Sequence, residues 1–156
     1  MRFKVRRKAK ANWHKQWEID IRNAAIWAAE QMDIMRKDAV VEFVLKNNPK
    51  TEYGGVVLTM NPFKRFVVIL NACYLGEWEH ILETVIHEMT HVAQEFHQGL
   101  AITDCLTEAH YDGMVYNFDS PEQFNAAYYD LPWEIDARES ADLLLPKYKK
   151  FLTFAA

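Results

Sequence analysis

At 156 residues, half of them hydrophobic, the chain is long enough for one domain with a real core and too short for two. Aromatics reach 13% against only five glycines and five prolines, which excludes a low-complexity or disordered polymer. The formal charge of −4 hides an asymmetry: Arg2, Lys4, Arg6, Arg7, Lys8, Lys10 and Lys15 leave 11 of the 18 basic residues to set against 22 acidic ones, a balance of −11.

Residues 1–11 therefore read as a basic N-terminal arm on an acidic body, and 12–156 as one domain. Such an arm can make a weak nucleic-acid contact or fold back on the acidic surface, and the second is the plainer expectation. No apolar stretch of signal-peptide length follows the basic start, and no run is long enough to cross a membrane. With Cys73 and Cys105 outside any CxxC spacing, the expectation is a reduced, cytoplasmic protein with buried free thiols.

Asn12 is placed to cap a helix whose apolar positions, Trp13, Trp17, Ile21, Ala24, Ala28, Met32 and Met35, recur every three or four residues. From 39 to 46 the β-branched and aromatic content rises, predicting a strand ended by Asn47-Asn48-Pro49. Gly54-Gly55 opens a second strand over 56–60. Asn61-Pro62-Phe63-Lys64 turns the chain, and 66–70 returns antiparallel as the other arm of a hairpin.

The next run, from Gly76 to Gly99, has no proline and no interior glycine. On a helical wheel Trp78, Ile81, Leu82, Val85, Ile86, Met89, Val92, Ala93 and Phe96 gather on one arc, a core-facing stripe. His87 and His91 fall on the opposite arc with His80, Thr84, Gln94, Glu95 and Gln98, and no Lys or Arg interrupts 78–98. Residues four apart share a face, so the two histidines of His87-Glu88-Met89-Thr90-His91 can close on a single ion. Two neutral imidazoles suit Zn²⁺, which in catalytic sites takes three protein ligands and a water. Glu88, beside the first histidine, is then the group to take a proton from the activated water and pass it to a leaving amine.

Past Gly99, Asp112-Gly113 between Glu108-Ala109-His110-Tyr111 and Met114-Val115-Tyr116-Asn117 is a two-residue hairpin turn, since both positions want positive φ. Ser120-Pro121 starts a short helix or turn. Pro132 suits the first turn of a last helix, predicted to end near Leu145 before Pro146. The downstream candidates for a third metal ligand are Glu134, His110 and Glu108. Glu134 is preferred because Ala137 and Ala141 leave one face of its helix small enough to approach the histidine helix closely. Its alternative role is a surface pair with Arg138. A cysteine as a fourth ligand is the less expected use of Cys73 or Cys105.

His-Glu-Met-Thr-His-Val-Ala-Gln at 87–94, the Tyr111-Asp112-Gly113 hairpin with Tyr116, and Tyr129-Asp130-Leu131-Pro132-Trp133-Glu134-Ile135-Asp136-Ala137 together resemble the small zinc-metallopeptidase-type proteins of bacteriophage and prophage genomes. The resemblance spans roughly residues 40–145. It implies a minimal zincin of α+β class with an N-terminal helix, a small, largely antiparallel sheet, the HExxH helix, a hairpin and a C-terminal ligand-bearing helix. It also implies Glu134 as the third zinc ligand, in gluzincin fashion, and a strand of the 56–60/66–71 hairpin that binds an extended peptide by edge pairing. A phage source would put the protein in a bacterial cytoplasm.

The expected activity is hydrolysis of a peptide or protein substrate, with Tyr111, Tyr128, Tyr129 or His110 as candidates to assist the oxyanion. Asp136 and His80 are candidates to orient a ligand imidazole. The rival for the third ligand is His110, as in SprT-like proteases acting on DNA-bound proteins, although the usual His-Gly pair is missing at His110-Tyr111. A non-catalytic, zinc-stabilised module that grips a host protein or nucleic acid is the reading from another class, and a non-protein amide is a further substrate for the same site.

Overall fold

The computed structural model describes residues 1–8, 15–35, 37–47, 55–60, 64–71, 73 and 77–156. Asn12, Trp13, the turn residues Asn48 and Pro49, Gly54 and the 61–63 turn lie outside them. Two layers make the body of this α+β chain: a four-stranded sheet and the helices packed on it.

Strand β1 (Arg2–Arg7) leads into α1 (Lys15–Gln31) and then β2 (Val40–Lys46), which pairs with β1 in parallel. The segment set apart by its charge is thus the first strand of the sheet. Arg2, Lys4 and Arg6 are exposed, while Phe3 and Val5 between them turn inward against the core. Part of its charge is spent within the molecule: Arg6 Nε lies 2.6 Å from Glu42, and Arg7 pairs with Glu18. β2 buries five consecutive residues, Val41 to Leu45, the pattern of a central strand flanked on both sides.

β3 (Gly55–Met60) and β4 (Arg65–Asn71) form the expected antiparallel hairpin, with Val56 opposite Ile69 and Leu58 opposite Val67. β4 also pairs with β2 in parallel, so the sheet order is β1-β2-β4-β3 and β3 is an edge.

Helix α2 (Trp78–His97) lays its apolar arc on the sheet and α1: Ile81, Leu82, Val85, Ile86, Met89, Val92 and Ala93 are buried, with Trp78 and Phe96 packed at the ends. Gly99, at φ 65, takes the left-handed conformation that stops the helix. A second, antiparallel sheet follows, of β5 (Ala101–Ile102), β6 (Glu108–Tyr111) and β7 (Met114–Asn117). Asp112 and Gly113 turn β6 into β7 with φ of 50 and 78, as a two-residue hairpin requires. Ser120 caps α3 (Pro121–Ala127) by accepting from the Gln123 N–H at 3.2 Å.

The last helix, α4 (Pro132–Ala155), does not stop at Leu145; Pro146 lies inside it. Packing outweighs the lost backbone hydrogen bond, because Tyr148 is 2% exposed with its ring 5.0 Å from Trp27, and Lys149 pairs with Glu79 on α2. A separate cluster of Leu100, Ala109, Tyr111, Phe124, Leu131 and Trp133 anchors the start of α4 against the second sheet and α3. Among the described residues, no helix is long and apolar enough to cross a membrane.

Candidate metal centre

Two helices bring three candidate ligands together. α2 supplies His87 and His91 from one face, with Nε2 atoms 3.1 Å apart. α4 packs against α2, its Ala137 and Ala141 buried, and so brings Glu134 of its first turn to the histidines. Glu134 Oε2 lies 3.3 Å from His87 Nε2, and Oε1 lies 3.2 Å from His91 Nε2. Among the described residues, these three form a group whose donor atoms all fall within 4.8 Å of one another. The group can hold a metal ion.

The donor set passes a geometric check. Ligands at about 2.0–2.1 Å in a tetrahedron stand about 3.3–3.4 Å apart. The two imidazole nitrogens are 3.1 Å apart, and each is met by a different oxygen of the one carboxylate at 3.2–3.3 Å. Glu134 is 4% exposed, and Arg138, its neighbour at i+4, donates instead to the Tyr129 carbonyl. Burial pushes Glu134 toward the neutral acid, but hydrogen bonds from His87 and His91 and the charges of both rings hold its pKa down to about 2. Burial likewise lowers the pKa of His91, yet the Glu134 hydrogen bond and the Glu88 and Glu134 charges lift it to about 9. Carboxylate and imidazoles share protons through the same lone pairs that a cation would use.

Glu88 is 4% exposed beside the group, and burial raises its pKa against the pull of His91 and His87. It lies under the first residue of β3: a Cβ at Gly55 would meet Glu88 Oε1 at 2.6 Å. The catalytic candidate thus adjoins both the ligands and the sheet edge.

The other sequence candidates fall elsewhere. His110 is exposed and 2.7 Å from Glu108, on the side of β6 opposite buried Ala109 and Tyr111, so neither His110 nor Glu108 joins the group. His80 is exposed and faces Glu83 at 3.6 Å. Tyr129 is 66% exposed, 5.8 Å from the Tyr128 ring and 5.7 Å from the Arg138 guanidinium. Tyr111 is buried and its hydroxyl donates to Asp136, so both are tied into the support of the site. Burial and then the Asp136 contact push the Tyr111 pKa up. Cys73 and Cys105 are free and exposed rather than buried, and neither is in the ligand group. Cys105 sits in the Thr103–Leu106 turn, where hydroxyls of Thr107 and Thr103 lie 2.8 and 3.5 Å from its sulfur.

Two residues of the site carry little sequence signal. Gln94 reads as one more polar residue on the histidine face, yet it is 2% exposed and contacts His91. Gly55 reads as a strand opener; its place over Glu88 follows from the tertiary fold.

No protein-family model, curated protein or solved structure matches this chain.

Proposed function

We propose that this chain is a zinc-dependent metallopeptidase of HExxH type, in which His87, His91 and Glu134 hold the metal and Glu88 is general base and then general acid. The observation that supports this most is the convergence of two imidazole nitrogens and a carboxylate at 3.1–3.3 Å, with Glu88 buried alongside. Two nitrogens and one oxygen donor are a set that zinc takes in hydrolases, with one position left open. When bound, zinc supplies Lewis acidity, which lowers the pKa of a water to about 7 and polarises a carbonyl.

The chain's own groups do the rest. Glu88 accepts the proton of the attacking water as the C–O bond forms and the carbonyl π electrons move to oxygen. It then delivers that proton to the amine nitrogen as the carbonyl re-forms and the C–N bond breaks. Edge strand β3 offers main-chain donors and acceptors to an extended peptide. A peptide lying along that edge passes Gly55 and the Glu88 carboxylate beneath it.

The test is metal content after dialysis, by elemental analysis, for wild type and for His87→Ala, Glu134→Ala and His110→Ala. One zinc per chain, lost in the first two variants and kept in the third, is the expected result. Glu88→Gln should keep the zinc and lose hydrolysis of an unstructured protein substrate. Wild type without zinc, or undiminished turnover in Glu88→Gln, overturns the proposal.

A further inference from the structure

One buried amide ties the two ligand-bearing helices together. Gln94 lies three residues after His91 on α2, and its side chain has two donors and one acceptor oxygen to place. Its Nε2 donates to the Trp133 carbonyl at 2.9 Å and lies 3.4 Å from the Tyr111 hydroxyl. Its Oε1 lies 2.8 Å from Nδ1 of His91.

The orientation of this amide is not free. A carbonyl oxygen only accepts, so the amide nitrogen must face Trp133, and a flipped amide would set two oxygens against each other. Oε1 is therefore committed to His91. An amide oxygen also only accepts, so the Nδ1 it faces must carry the proton. A neutral imidazole with its one proton on Nδ1 has its available lone pair on Nε2, the form a metal ligand takes, and Nε2 is the atom that faces His87 and Glu134. The main-chain group that fixes the amide belongs to Trp133, the residue before Glu134. Trp133 is itself 1% exposed, with its ring 5.9 Å from Tyr111 and 5.5 Å from Tyr116.

We propose that Gln94 is a positioning residue that decides which nitrogen of His91 serves as ligand and locks the first turn of α4, with Glu134, to the histidine helix. The role rests on the metal-centre proposal, since it concerns what His91 Nε2 is kept free to do.

The experiment loads the full chain with Co²⁺, a paramagnetic stand-in for zinc, and follows metal affinity by competition with a chromophoric chelator. Proton NMR of the same samples reads the hyperfine-shifted, exchangeable N–H signals of the ligand histidines. Wild type should show a His91 Nδ1–H signal that exchanges slowly with water. Gln94→Leu, similar in bulk but unable to accept, should bind Co²⁺ about 10–100-fold more weakly. Its His91 N–H should exchange at least about tenfold faster, while Gln94→Glu, which can accept but whose carboxylate cannot donate to Trp133, keeps the slow signal and loses affinity.

A purely structural Gln94 would lower thermal stability without moving the N–H signal. Affinity within twofold of wild type and an unchanged signal in Gln94→Leu overturn the role alone. If that variant does not fold, Gln94→Glu decides: loss of its slow His91 signal, or wild-type affinity, overturns the role. Failure of wild type to take up Co²⁺ overturns the metal centre and this role with it.

Discussion

Gly55 on the edge strand and Glu88 on the histidine helix are in mutual contact range: a Cβ on Gly55 would lie 2.6 Å from Glu88 Oε1 and 2.8 Å from Thr84 Cγ2. Both contacts are below 3.0 Å, so Thr84 and Glu88 must each give way, and the Glu88 carboxylate, at the far end of a flexible side chain, is displaced. On the proposed hydrolase reading, Gly55→Ala should therefore keep its metal and fold but lose peptide hydrolysis by about 100-fold, the cost of a catalytic group displaced by about 1 Å. Metal analysis and kcat on the same preparation check this. Wild-type turnover would mean that the Glu88 position seen here is not the working one.

A metal that binds the folded chain and not the unfolded one must stabilise it. At zinc concentrations about 100 times Kd the gain is about 2.7 kcal/mol. For a chain of this length that corresponds to a rise of roughly 5–11 °C in Tm. His87→Ala and Glu134→Ala should remove most of the rise, whereas His110→Ala should keep it, because His110 is exposed and paired with Glu108. Calorimetry with and without zinc makes the measurement, and an equal rise in all four proteins would point to binding elsewhere.

His87 and His91 are legible in the chain because a helix converts a spacing of four into a shared face, and the apolar arc opposite them says which way that face turns. Glu134 is legible only in part: its alanine neighbours permit close approach, but the pairing of α2 with α4 is a tertiary event. Gln94 is harder still, since a polar residue on a polar arc gives no sign that α4 will bury it. The segment holding β1 draws attention through its charge, although Arg2, Lys4 and Arg6 alternate with Phe3 and Val5 at the period of a strand. Alternation was the better guide there, because the exposed edge of a sheet tolerates basic side chains. Cys73 and Cys105 depart from the general tendency of free thiols to be buried; Cys105 does so because its turn exposes it among threonine hydroxyls.

Glu42 gives a pH dependence with a definite sign. It is 6% exposed on β2, hydrogen-bonded by Arg65 and 2.6 Å from Arg6 Nε. The Arg65 hydrogen bond, with the Arg6, Arg65 and Lys4 charges, holds its pKa below the usual value against the effect of burial. A carboxyl with a depressed folded pKa contributes stability that is complete above its unfolded pKa, about 4.3, and fades as pH falls through the folded value. Both arginines are partly solvated, so Glu42→Gln should cost only about 1 kcal/mol at pH 7. In urea titrations the gap between wild type and variant should hold from pH 7 to 5 and shrink progressively below about pH 4. A gap that widens in acid would contradict the assignment.

The continuation of α4 past Pro146 makes two opposed predictions. Proline inside a helix lacks the N–H that would bond to the carbonyl four residues back, Asp142, and its ring crowds that carbonyl, at about 3 kcal/mol relative to alanine. Part of this is offset because proline also restricts the unfolded chain, by about 0.4–1 kcal/mol. Pro146→Ala should thus stabilise the protein by about 2–2.6 kcal/mol. Tyr148→Ala should do the reverse by about 3–5 kcal/mol, because it removes a ring packed on Trp27 and leaves a cavity. Denaturant unfolding gives both signs, and amide exchange over 147–155 shows where the loss falls. Fast exchange there in Tyr148→Ala, with slow exchange in Pro146→Ala, means that packing on Trp27 carries the helix through its proline. If Tyr148→Ala were neutral, the continuation would have to come from the helix's own propensity, which Pro146 opposes.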